Sequence, residues 1–140
     1  MKYFHDFESG PDGWRFTQSE GEIVREPSGN HYITGNEYVT DYSLAKIFKL
    51  PFVDNLPVTV KFDIKVPDGV TLKELACTVN NNVQLLDVPA GDDQWHSCKV
   101  TFPPPPPQTS GFPTVRITAF REVEKPPHGV GFDNIYVIQE

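Results

Sequence analysis

GVGFDNIYVI, from Gly129 to Ile138, has the composition of a β-strand and contains one residue that a strand resists. Phe132, Ile135, Tyr136, Val137 and Ile138 favour a pleated, half-buried surface. Asp133 does not, because carboxylates are depleted in strands and costly to bury unpaired. An even pleat points residues two apart to one face, so Asp133 shares the face of Ile135 and Val137. If that face is the core, the carboxylate needs a cation, a set of donors or a proton. A closing strand with an inward Asp points to a metal pinned between the two ends of the chain.

Working outward, Val58 to Val66 is the plainest strand. Val58, Val60, Phe62, Ile64 and Val66 face one way; Thr59, Lys61, Asp63 and Lys65 face the other. Leu72 to Asn80 repeats the pattern, with Leu75, Cys77 and Val79 inward. Gln94 to Phe102 alternates through Cys98, Val100 and Phe102. Thr114 to Val123 turns Val115, Ile117 and Ala119 inward and Arg116, Thr118 and Phe120 outward. Val83 to Val88 is a further strand after the Asn80–Asn82 turn, since asparagine tolerates positive φ. Tyr3–Glu8, Trp14–Thr17, Glu22–Arg25 and His31–Thr34 are short extended pieces separated by SGPDG and EPSGN turns. Asp41 to Leu50 places Tyr42, Leu44, Ile47 and Phe48 in an uneven register that predicts a bulge. Short strands with turns every 8–12 residues predict an antiparallel sandwich.

At 140 residues, with no internal repeat or linker, the chain reads as a single domain spanning 1–140. Its 14 prolines and 10 glycines argue for turns and against helices. No apolar run is long enough for a membrane helix. The net charge of −7 argues against nucleic acid. The start, MKYFHDFESG, lacks the apolar centre of a signal peptide. The chain is intracellular, or a leader was removed, or it leaves by a signal-free route, or it is a piece of a larger protein. Cys77 and Cys98 both look inward and read either as two buried thiols or as a disulfide between neighbouring strands. Pro103 to Pro107 favours polyproline II; it reads as a stiff loop between sheets, with a ligand for a proline-recognition domain as the alternative.

Four stretches together resemble the jelly-roll β-sandwiches of carbohydrate-binding modules and related galactose-binding-like domains. They are HDFESGPDGW (His5–Trp14), PSGNHYI (Pro27–Ile33), WHSCKVTF (Trp95–Phe102) and GFDNIYV (Gly131–Val137), in that order along nearly the whole chain. The resemblance implies a lectin-like, carbohydrate-binding domain, and favours a secreted setting. It also implies a structural calcium near the two termini. Carried over by position, the side-chain ligands are Glu8 and Asp133, with backbone carbonyls near Gly10, Ser28 and Asn30 completing the shell. Calcium takes six to eight oxygens, which two carboxylates and loop carbonyls supply. The competing reading leaves Asp133 accepting backbone hydrogen bonds and Glu8 on the surface.

Sugars are held by aromatic faces and by polar groups that pair with hydroxyls. Phe120 is an outward aromatic with Arg116 beside it. Tyr38 and Tyr42 lie in one tyrosine-rich region, and Trp14 and Trp95 stand at strand ends, where packing competes with exposure. Asn80, Asn82 and Gln84 form an amide-rich segment suited to hydroxyls. No GxSxG elbow, HExxH or paired-cysteine zinc spacing is present, so no enzyme is expected. The expected function is non-catalytic glycan binding. The alternative is a structural or protein-interaction module of a virion, adhesin or secreted assembly.

Overall fold

The computed structural model describes residues 1–17, 20–35, 41–107, 111–121 and 129–140. Among them the strands are β1 (Lys2–His5), β2 (Arg15–Phe16), β3 (Glu22–Arg25), β4 (His31–Thr34), β5 (Asp41–Ile47) and β6 (Val58–Lys65). They continue with β7 (Leu72–Val79), β8 (Asn82–Leu86), β9 (Trp95–Phe102), β10 (Thr114–Arg121) and β11 (Gly131–Ile138). Every strand pairing is antiparallel. Two sheets result. Sheet A runs β3-β4-β11-β6-β9, with β1 also on β11; sheet B runs β2-β5-β10-β7-β8. The architecture is an all-β jelly-roll sandwich.

Period-two alternation builds the core between the sheets. In β6, Val58, Val60, Phe62 and Ile64 are buried. In β10, Val115, Ile117 and Ala119 are buried while Arg116 and Phe120 are exposed. Leu75, Cys77 and Val79 of β7 meet them from the next strand, and Val100 and Phe102 of β9 close the layer from sheet A. No helix of the described residues is long and apolar enough to cross a membrane.

β11 departs from the even pleat. Phe132, Ile135 and Val137 are all fully buried in the core. Phe132 and Ile135 are three apart, so one residue is extra. The register on β6 shows where: Asp133 faces Asp63 and Tyr136 faces Lys61, three steps on β11 against two on β6. Asn134 absorbs the bulge at φ 47°, a backbone state that asparagine tolerates. The expectation that Asp133 shares the core face with Ile135 is thus corrected. Asp133 belongs with Asp63 on the outer face, and is buried there by local cover.

Other expectations change as well. β5 keeps continuous register with β10 from Ile47 to Asp41, so the uneven stretch holds no bulge. Its alternation is sound once Ile47, 65% exposed, is taken as outward. A bulge lies instead between Phe120 and Arg121, opposite β7. Cys77 and Cys98 are free thiols on opposite sheets rather than neighbouring strands. Trp14 is 1% exposed. Its indole N–H donates to the Tyr3 hydroxyl at 2.9 Å, which donates in turn to Asp12 at 2.7 Å. The ring packs edge-on to Phe48. Gln139 fastens the C-terminus: its side chain bonds both backbone groups of Val53, and its N–H reaches the Met1 carbonyl.

The bulge makes a prediction. Phe132→Ala, a core truncation, costs about 3–5 kcal/mol in urea unfolding. Tyr136→Ala, on the opposite face, costs under about 1 kcal/mol. Equal losses would contradict the register.

Candidate functional site

β4 and β1 share one edge of β11. β4 pairs with Gly131 and Phe132, and β1 begins pairing at Ile135. The bulge lies in the gap between them, so Asp133 sits where both partners are absent. Asn30, at the entry to β4, donates its amide to Asp133 Oδ2 at 2.9 Å, and the Asn134 N–H donates to Oδ1 at 2.8 Å. Burial is the main cause lifting the Asp133 carboxyl to about 6; these two bonds oppose it, and the charges of Asp63 and Glu8 add to it. Glu8 accepts from the His31 backbone N–H at 2.7 Å and lies 2.9 Å from its ring Nδ1. Those bonds hold Glu8 below the usual carboxylate range.

Glu8 and Asp133, far apart in sequence, are thus tied to adjacent residues at the entry to β4, Glu8 to His31 and Asp133 to Asn30. Their oxygens are of the hard type that calcium prefers, and a cation would relieve the buried carboxylate. The expected carbonyl donors are partly engaged. Gly10 O lies 2.6 Å from His5 Nε2, Asn30 O accepts from the Glu26 N–H, and Ser28 is seen through its hydroxyl, which accepts from Asn30 N–H. Among the described residues no group of three or more His, Cys, Asp or Glu gathers for a metal. All four carboxylate oxygens of Glu8 and Asp133 already have partners, in His31, Asn30 and Asn134.

Next to this junction the outer face of sheet A holds a hub that sequence reading missed. Glu26 accepts from Trp95 Nε1 at 3.0 Å, from Asn30 at 3.0 Å and from Lys65 Nζ at 2.8 Å. Tyr32 and Trp95 meet edge to face, centroids 5.2 Å apart, and Lys65 Nζ stands 5.7 Å from each ring centroid. Burial alone would raise the Glu26 carboxyl, but the bonds from Lys65, Asn30 and Trp95 outweigh it and hold the pKa down. Burial likewise opposes charge on Lys65, and Glu26 overrides it. Gly131 is required beneath: a Cβ there would lie 2.7 Å from the Tyr32 ring. The one signal in sequence was the turn EPSGN, which brings Glu26 and Asn30 to one place. The partners lie 39 and 69 residues from Glu26, beyond the reach of local pattern.

The outer face of sheet B exposes Phe120 and Arg116, as their alternation predicts. Phe120 stands 37% exposed, with Glu74 opposite in register on β7. Arg116 and Thr118 share its face; Arg116 reaches Ser43 Oγ at 3.4 Å, and Ser43 lies 3.1 Å from Thr118 Oγ1. Tyr42 and Trp14 do not join this surface. Tyr42 is fully buried against Phe16 and beneath Arg121, so its ring is corrected from surface to core; Trp14, a ligand candidate for which packing was the competing reading, is the packed ring. Tyr38 lies outside the described residues. The amide-rich segment is largely spent on structure: Asn80 Oδ1 accepts from the Thr114 N–H, and Gln84 donates to the Thr101 carbonyl across the sheets.

No family model matches the sequence, and no curated protein resembles it. Solved structures do resemble the fold. A xylan-binding domain of carbohydrate-binding module family 22 matches with a TM-score of 0.72 at 10% identity, covering 98% of this chain and 93% of that one. The adhesin domain of Lys-gingipain from Porphyromonas gingivalis matches with a TM-score of 0.64 at 14% identity, covering 100% and 99%. The family 22 and catalytic modules of a Clostridium thermocellum xylanase match at 0.70 and 12% identity; 98% of this chain spans 28% of that one. Modules of families 35 and 6 share the architecture. The jelly-roll resemblance read in the sequence therefore holds at the level of fold, with these modules as structural neighbours.

The hub is testable as structure. Glu26→Ala strands the Trp95 N–H and the Lys65 ammonium and costs about 1–3 kcal/mol in chemical unfolding. Glu22→Ala, an exposed neighbour, changes stability by less than about 0.5 kcal/mol. A Glu26 variant as stable as the Glu22 variant would show that the hub adds nothing.

Proposed function

We propose that this chain is a non-catalytic carbohydrate-binding module whose glycan lies on the outer face of sheet B, across Phe120 and Arg116. One observation carries the reading: Phe120 is an outward aromatic ring on the outer face of sheet B, with the polar side chains of Arg116, Thr118 and Glu74 around it. An aromatic face stacks on the C–H surface of a sugar ring. A guanidinium fork donates to hydroxyls and a carboxylate accepts from them. The whole-chain fit to isolated binding domains supports the reading. Such surfaces bind weakly alone and gain from tethering to a larger protein.

The same reading assigns a structural calcium to Glu8 and Asp133, with carbonyls near Gly10, Ser28 and Asn30. Calcium there ties the end of β1 to the middle of β11, so binding stabilises the folded state by mass action.

A second reading, an interaction module without a sugar site, draws support from the end-to-end match to an adhesin domain. Exposed Val83, Leu85 and Ile47 on the outer face of sheet B would then be protein contacts.

Two measurements test the proposal. Phe120→Ala reduces retention on the glycan that best retains the wild type, by about tenfold or more, and melts at the wild-type temperature. Undiminished retention would move the site elsewhere, and no retention of the wild type by any glycan would favour the interaction module. Calcium at a hundredfold excess over its Kd adds about 2.7 kcal/mol, a rise of several degrees that a chelator reverses. Asp133→Ala removes that response. A wild type indifferent to chelator would remove the metal.

A further inference from the structure

We propose that the outer face of sheet A is a second saccharide surface, distinct from the Phe120 face, and that it takes an acidic sugar. Four strands set one row of side chains across this sheet. Phe4 on β1 is opposite Tyr136 on β11, Tyr136 is opposite Lys61 on β6, and Lys61 is opposite Lys99 on β9. At about 4.8 Å between strands, the row spans about 14 Å, the length of a short oligosaccharide.

The aromatic end is open. Phe4 is 46% and Tyr136 38% exposed, and their ring centroids lie 4.5 Å apart. Two adjacent rings uncovered on a sheet face offer a stacking platform. The cationic end is the more telling. Like charges directly opposite each other destabilise a sheet, and both lysines are exposed. The chain has 19 acidic residues against 12 basic ones, yet no ion pair among the described residues uses Lys61 or Lys99.

The acids nearby are committed. Asp63, two residues from Lys61 on the same face, accepts from Ser97 Oγ at 2.8 Å and from the Asn134 amide at 2.9 Å. Glu140 pairs with Lys2 at 3.7 Å. A depression of about 170 Å³ is lined by both lysines together with Pro57, Thr59, Ile138 and Glu140, whose carboxylate is the one turned to Lys2. Thr59 and Thr101 lie beside it, their hydroxyls 3.0 Å apart.

A saccharide carrying an anion matches this row: ring faces on Phe4 and Tyr136, hydroxyls on the threonines, and the anion between Lys61 and Lys99. With a net charge of −7, the protein as a whole repels polyanions. Binding of one therefore reports a local site and not general attraction.

The test is isothermal titration of the whole chain with polygalacturonate, its fully methyl-esterified form, dextran sulfate, plain dextran and polyglutamate. The wild type binds polygalacturonate or dextran sulfate, and binds the matching neutral polymer and polyglutamate at least about tenfold more weakly. Preference between the first two names the anion as carboxylate or sulfate. Lys61→Gln with Lys99→Gln, both exposed positions, loses about tenfold of the acidic affinity, as does Tyr136→Ala. Phe120→Ala leaves it unchanged, which separates this site from the Phe120 face. Equal binding of acidic and neutral polymers, equal binding of polyglutamate, no acidic binding, or undiminished binding by the double lysine variant would each overturn the proposal.

Discussion

Sheet A depends on one strand changing partners halfway along. β11 holds β6 on one side throughout, but on the other it passes from β4 to β1 across a single bulge. The extra residue keeps both halves of β11 loaded on the core: Phe132 before it, Ile135 and Val137 after it. A straight strand would turn one half's apolar residues outward, since a shift of one residue flips every side chain. The chain's beginning is thereby clamped to its end, with Gln139 adding a further fastening to Met1 and Val53.

The gap left by that change of partner is where the polar chemistry gathers. Asp133 occupies it, Asn30 bridges it to Glu26, and Glu26 gathers Trp95 and Lys65. Each link brings together residues remote in sequence, and no buried side-chain polar atom among the described residues lacks a partner. Such fully satisfied networks specify one arrangement. The two outer faces can then differ, because neither has to supply the core. Sheet B presents Phe120 and Arg116; sheet A presents the row from Phe4 to Lys99.

Much of this was readable in sequence, for a stated reason. β6 and β10 alternate without interruption, so the faces of Val60, Ile117, Arg116 and Phe120 followed from period two alone. The same rule misplaced Asp133, because a bulge breaks parity and nothing local in GFDNIYV marks it except an asparagine that tolerates positive φ. It also mistook the exposed Ile47 for a sign of irregularity. Tyr42 and Trp14 were ambiguous because an aromatic serves a core or a sugar equally well by composition, and only packing decides between them. The Glu26 hub was invisible: Trp95 and Lys65 look like ordinary alternation until the sheet brings them beside the EPSGN turn.

The central claim, that an outward face of this sandwich binds glycan, is met most directly by amide chemical-shift mapping of the chain during titration with a soluble xylan oligosaccharide and a panel of other neutral oligosaccharides. The account predicts saturable shifts for at least one of them, clustered on Glu74, Arg116, Thr118 and Phe120 of β7 and β10. Shifts scattered over the molecule, or none with any sugar, would contradict it.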